Sequence, residues 1–198
     1  MLRFNENQID QVAKILMNDG VVSVPTDTVY GVCARVSKKA QTNLREVKNR
    51  PATKAFPIMC KDIEQVKEIA IVDERAKKVM EAYMPGPLTV ILKKKDDLEE
   101  YVNGGMDTVA IRLATSDALY ALIDAVNAPI FMTSANQSGQ EVSKNLDEIE
   151  RNCPLLQGML EGDVTFGDAS TIVNLSGDDV VVLRKGPITI EEINEALK

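Results

Sequence analysis

Three cations fall within seven residues, Lys48, Arg50 and Lys54, in the stretch KNRPATK. Pro51 interrupts any regular helix there, so these charges are not simply spaced along a solvated helical face. Cations on a stiff loop suit an anion, a polyphosphate above all. Taken alone, the three read more simply as a solvated basic loop. Other polar side chains gather where strands are expected to end. They are Thr26-Asp27-Thr28, Thr108 and Arg112 around TVAIR, Ser134-Ala135-Asn136, Ser170-Thr171, and Arg184-Lys185-Gly186-Pro187. Ser134 and Asn136 can donate to phosphate oxygens, and Ser143 lies on the loop just beyond. In sheets with helical crossovers, ligands occupy crevices beyond the strand tips. Each cluster also has an ordinary reading as a turn or a surface charge, but all of them together do not.

What is missing narrows the chemistry. The chain has no histidine, which removes Ser-His-Asp and Cys-His catalysis, HExxH sites and His-ligated zinc. Neither GxxxxGK[ST] nor GxGxxG occurs, so a phosphate here must be held by side chains. Cys33, Cys60 and Cys153 are far apart and read as reduced thiols of a cytoplasmic protein. Net charge is 23 − 30 = −7, which argues against a wholly basic nucleic-acid coat but not against a local basic groove. The start MLRFNENQIDQ has no apolar leader, and no run approaches membrane-spanning length, so no membrane partner is expected.

The elements that must position these residues alternate. Apolar spacing predicts helices over 5–18, 40–49, 62–69, 73–83, 116–126 and 145–151, with a last helix opened by the capping box Thr189-x-x-Glu192. Strands are expected over 21–25, 55–60, 88–92, 108–112, 128–133, 170–175 and 180–184. With no repeat or flexible linker, residues 1–198 read as one α/β domain.

Seven blocks, SVPTDTVYGV, VKNRPATKAFPI, PGPLTVIL, TVAIR, TSANQSG, STIV and VLRKGPIT, occur in the order found in the YrdC-type threonylcarbamoyl-AMP synthases. The chain resembles that family, in its short, single-domain form, from about residue 9 to 195. The paired K-x-R and S-x-N signatures are present as Lys48-Asn49-Arg50 and Ser134-Ala135-Asn136. The resemblance implies a twisted mixed sheet with flanking helices and a concave, locally basic cleft. It implies condensation of L-threonine, bicarbonate and ATP, with Mg2+, into L-threonylcarbamoyl-AMP and pyrophosphate. The product would feed N6-threonylcarbamoylation of adenosine 37 in tRNA through a downstream transferase complex, with tRNA itself a candidate partner. By similarity, Thr28, Arg112, Met132 and Ser170 hold threonine. Lys48, Arg50, Lys54, Thr108, Ser134, Asn136, Ser143 and Arg184 line the ATP side, with Lys48 and Arg50 catalytic and no protein-bound metal.

Three positions depart from the family pattern. Met59 stands where some longer relatives carry a histidine, Cys33 where glycine often follows VYG, and Thr133 where proline is common. Two alternatives remain open: a paralogue of the same fold with different substrates, and an RNA-binding module. The scarcity of stacking aromatics, four Tyr and four Phe, weighs against the second.

Overall fold

The computed structural model describes residues 1–165 and 167–198. A short strand, β1 (Leu2–Phe4), leads to a single 3-10 turn over Glu6–Gln8 and then α1 (Ile9–Met17). The helix expected over 5–18 is thus divided, because the Asn5 and Gln8 side chains close a capping box on the 3-10 turn. At the far end Asp19, not Gly20, takes the left-handed conformation. Gly20 is required for closeness instead, since a Cβ there would lie 2.7 Å from the Ile15 carbonyl oxygen.

β2 (Val22–Val24) and β3 (Gly31–Arg35) pair antiparallel, so residues 25–30 form the loop of a hairpin. Next comes α2 (Lys38–Lys48), capped by Ser37 and ended by Asn49 at φ 47°. That left-handed turn swings Arg50 and its loop away from the helix axis. There follow β4 (Ile58–Cys60), α3 (Ile63–Ile69), α4 (Glu74–Tyr83), β5 (Leu88–Lys93), α5 (Glu100–Asn103) and β6 (Thr108–Leu113). The chain then runs through α6 (Asp117–Val126), β7 (Ile130–Ser134), α7 (Leu146–Asn152), β8 (Gly158–Leu160), β9 (Thr171–Asn174), β10 (Val181–Arg184) and α8 (Ile190–Ala196). Asp62, Asp73, Ser116, Asn145 and Thr189 each accept a hydrogen bond from the amide three residues on. These caps satisfy amides that a helix start leaves free.

The strands form one mixed sheet in the order β1-β8-β2-β3-β7-β4-β6-β5-β9-β10. Side chains alternate across it. Val32, Ala34, Ile58, Cys60 and Phe131 face a core filled by α2, α3, α4 and α8. Cys33, Met59, Ile130 and Met132 face the other way, under α1 and α6. Each fully buried aliphatic side chain contributes about 1.5–3 kcal/mol relative to exposure.

The α1/α6 layer does not extend across the whole face. Register sets Arg112 beside Met59, Thr108 beside Lys93 and Ala110 beside Ile91. Thr89 lies beside Ile172, and Arg184 also pairs with Ile172. Paired residues point to the same side of a sheet, so all of these share the Met59 face. Here Thr108, Ala110, Ile91 and Ile172 are only half-buried and Lys93 is exposed. The uncovered part of the sheet face is therefore over β6, β5 and β9.

Candidate active site

On that open face is a cavity of about 110 Å³, well below the roughly 300 Å³ at which drug-sized pockets begin. Thr28, Arg112, Met132, Ser134, Ser170 and Arg184 all line it. The hairpin loop supplies its first wall. Thr26 Oγ1 donates to the Val29 carbonyl at 2.6 Å and accepts from the amides of Thr28 and Val29, both at 3.2 Å. This fixes the loop with Thr28 Oγ1 3.0 Å from Thr26 Oγ1. Many polar groups are needed because the loop is both a turn and a wall of the cavity.

Arg112, on β6, is buried at 8% exposure. Its Nη1 donates to Thr28 Oγ1 at 2.9 Å, and its Nη2 donates to the Gly86 carbonyl at 3.1 Å and to the Asp27 carboxylate. Burial pulls the Arg112 pKa down, and the Asp27 charge opposes that shift. Opposite it, Thr89 Oγ1 and Ser170 Oγ are 2.9 Å apart. Arg184, from the edge strand, donates to the Ser170 carbonyl at 2.9 Å and to Ser170 Oγ at 3.0 Å. A Cβ at Gly186 would lie 2.6 Å from the Ala169 carbonyl oxygen. Glycine there lets the segment after β10 press against the loop before β9.

The remaining predicted residues fall into three groups. Lys48 and Asn136 form a support behind Ser134. Lys48 Nζ donates to the Ser134 carbonyl and, at 2.8 Å, to Asn136 Oδ1, while Ser134 Oγ donates to the same Oδ1 at 2.7 Å. Lys48 is 1% exposed. Burial lowers its pKa to about 8; the Arg50 charge acts in the same direction, and Cys153 opposes. Ser143 is buried and accepts from Asn152 Nδ2 at 3.0 Å. Its amide donates to the Ala135 carbonyl at 3.0 Å, tying it to the same loop.

Arg50 and Lys54 belong to the second group. Arg50 Nη2 donates to the Ala55 carbonyl at 2.6 Å, and its guanidinium sits 4.8 Å from the Phe56 ring centroid. Arg45 stacks on the same ring at 5.0 Å and donates to the carbonyls of Pro51 and Lys54. The loop is thus folded around two arginines and one aromatic ring, with Lys54 exposed. Thr108 stands apart, on the open face but four residues before Arg112, about 13 Å along the strand.

Sequence reasoning gave no role to Thr89, Asp27 or Arg45. Thr89 had a visible signal, a lone hydroxyl in the otherwise apolar run Leu88 to Leu92, on the opposite face from its neighbours Leu88 and Val90. Met59, the departure from the family pattern, is fully buried among side chains of the α1/α6 core. Among the described residues no group of three or more Asp, Glu, His or Cys could hold a metal ion. No helix of the described residues is long and apolar enough to cross a membrane.

The arrangement joins a buried guanidinium to paired hydroxyls around a space suited to a small carboxylate-bearing molecule. A family model described as "Telomere recombination", covering Sua5, YciO and YrdC, matches residues 14–186. The threonylcarbamoyl-AMP synthase of Bacillus subtilis is 34% identical over 201 residues, covering 99% of this chain and 58% of that protein. A putative threonylcarbamoyl-AMP synthase of Methanocaldococcus jannaschii is 30% identical, covering 93% of this chain and 88% of that one. Among solved structures, P. abyssi Sua5 complexed with L-threonine superposes with a TM-score of 0.92 at 28% identity, covering 99% of this chain and 60% of Sua5. This chain therefore spans under two thirds of the length of some relatives and most of the length of others. With the fold and the ordered sequence blocks agreeing, the chain belongs to the Sua5/YciO/YrdC family.

Proposed function

We propose that this chain, acting as one YrdC-like domain, is an L-threonylcarbamoyladenylate synthase, a nucleotidyltransferase using L-threonine, bicarbonate and ATP. The observation that carries the reading is the buried Arg112, which meets Thr28 at the wall of a cavity sized for one small amino acid. The L-threonine bound to a Sua5 of the same fold supports it. In this reading Arg112 takes the α-carboxylate, and the hydroxyls of Thr28 and Ser170, with the chain around Met132, seat the rest. A site built to hydrogen-bond a substrate hydroxyl rejects analogues lacking it by orders of magnitude.

ATP is too large for the cavity and lies outside it, toward Ser134 and Arg184. Lys48, Asn136 and Ser143 hold the Ser134 loop for it, and Arg50, Lys54 and Thr108 belong to the surrounding ATP side. The threonine amine condenses with bicarbonate to a carbamate and water. A carbamate oxygen then attacks the α-phosphorus, and the bond to pyrophosphate breaks. The carbamate is already an anion, so no histidine base is required at that step. Catalysis rests on positioning and charge stabilisation, the role assigned to Lys48 and Arg50. A divalent cation fits as part of the ATP complex, since Mg2+ is commonly held by phosphates with few protein ligands. It would neutralise phosphate charge. The product, passed in the cytoplasm to a transferase, serves threonylcarbamoylation of tRNA adenosine 37.

Pyrophosphate release by the purified chain tests the reading. Release should require both L-threonine and bicarbonate and should fail with valine, which matches threonine's shape but lacks its hydroxyl. Release indifferent to threonine would contradict it.

A further inference from the structure

Asp27 sits between Thr26 and Thr28, yet it does not line the cavity as they do, and its carboxylate accepts from Arg112 Nη2. The two side chains are 13% and 9% exposed, so the ion pair is largely buried. Such a pair seldom adds net stability over an apolar replacement, because two charges must first be desolvated. Asp27 is not even fully satisfied. Its Oδ2 is shielded from solvent and, among the described residues, is the buried side-chain oxygen or nitrogen that lacks a hydrogen-bond partner. A half-satisfied buried carboxylate costs stability and calls for a reason.

The reason lies in the charge of what enters the cavity. A lone buried guanidinium attracts any small monoanion, and bicarbonate, a substrate of the proposed reaction, is one. With Asp27 paired to it, Arg112 belongs to a unit of zero net charge. A bare anion on that unit leaves an excess negative charge in a poorly solvated place. An amino acid does not, because its ammonium travels with its carboxylate. Arg184 also lines the cavity and its charge is felt at Arg112, but it stands on the edge strand, held by Ser170, where solvent screens it more than the buried pair.

We infer that Asp27 is a specificity-determining residue, the counter-ion through which the Arg112 cavity selects a zwitterionic amino acid over a simple monoanion. The choice of amino acid as occupant rests on the function proposed above; the counter-ion role does not.

The full-length chain, Asp27→Asn and Asp27→Glu can be compared by calorimetric titration with L-threonine and with acetate as the monoanion probe. Asparagine is nearly isosteric, and circular dichroism with thermal melting checks that each variant folds. Asp27→Asn should bind threonine on the order of tenfold more weakly and gain acetate binding that the parent lacks, as expected for loss of one partner of a close charge pair. Asp27→Glu should restore most of the preference. No gain of acetate binding in Asp27→Asn, or acetate bound by the parent as tightly as by Asp27→Asn, overturns the inference. If the parent binds no threonine while Asp27→Asn still gains acetate, the amino-acid reading fails and the counter-ion role stands.

Discussion

At the scale of single residues, the site depends on buried polar groups that fix one another. Lys48 donates to both the Ser134 carbonyl and Asn136. Its proton makes these charge-assisted bonds and supplies the positive charge assigned to catalysis, and burial brings its pKa down to about 8. Raising the pH through about 8 discharges the folded lysine, whereas an unfolded lysine keeps its proton until about 10.5. Between those values the unfolded chain binds more protons, so this group makes stability rise with pH. Activity should therefore decline above pH 8 while the melting temperature does not decline with it. A pH profile of kcat/KM beside thermal melts checks this, and Lys48→Arg should move the decline to higher pH. Thr89 makes a separate prediction. Thr89→Val keeps the shape but loses the 2.9 Å contact to Ser170. At about 1 kcal/mol per hydrogen bond, the KM for threonine should rise roughly fivefold with the KM for ATP unchanged. A steady-state titration of each substrate would show it.

At the scale of elements, the cavity exists because loops from distant parts of the chain press together at few points. Gly186 is one. In Gly186→Ala the added carbon meets the Ala169 carbonyl oxygen, so Ser170 must move. A destabilisation of about 1–3 kcal/mol should accompany weaker threonine binding, read by a denaturant melt and a titration. Much of this level was legible from sequence. Apolar spacing announced most helices and the Thr189 capping box the last, and the caps the structure shows at Asp62, Asp73 and Ser116 likewise act within three residues. Strands were harder. β3 escapes a local reading because its run follows the polar loop directly and reads as that loop's end. β1 and β8, three residues each, are defined by pairing with each other across more than 150 residues, which no local pattern encodes. The site divided the same way. Thr28, Arg112, Ser134, Ser170 and Arg184 stood out as polar groups at strand tips. The Asp27–Arg112 pair spans 85 residues of sequence and is set by how the hairpin loop meets β6, which no local pattern encodes. Arg50 looked like a free cation because its partners are backbone carbonyls of its own loop.

At the scale of the whole molecule, the ten-strand sheet leaves one part of a face without helices, and the candidate site is there. This bears on the RNA-binding alternative. Of the cations such a module would use, Lys48 and Arg112 are buried at 1% and 8% exposure. Phosphate backbones are bound by accessible cations, whereas Arg112 faces the small cavity and Lys48 holds the Ser134 loop from behind. The short relative from Methanocaldococcus, matched over 88% of its length, fits a reading in which this domain performs the adenylation. The central claim, that carbon from bicarbonate is joined to threonine and then to AMP, can be followed atom by atom. Incubation of the purified chain with 13C-bicarbonate, L-threonine and ATP, followed by mass spectrometry, should reveal threonylcarbamoyl-AMP one mass unit heavier than with unlabelled bicarbonate. AMP formation without that labelled adenylate, or an adenylate lacking the 13C, would contradict it.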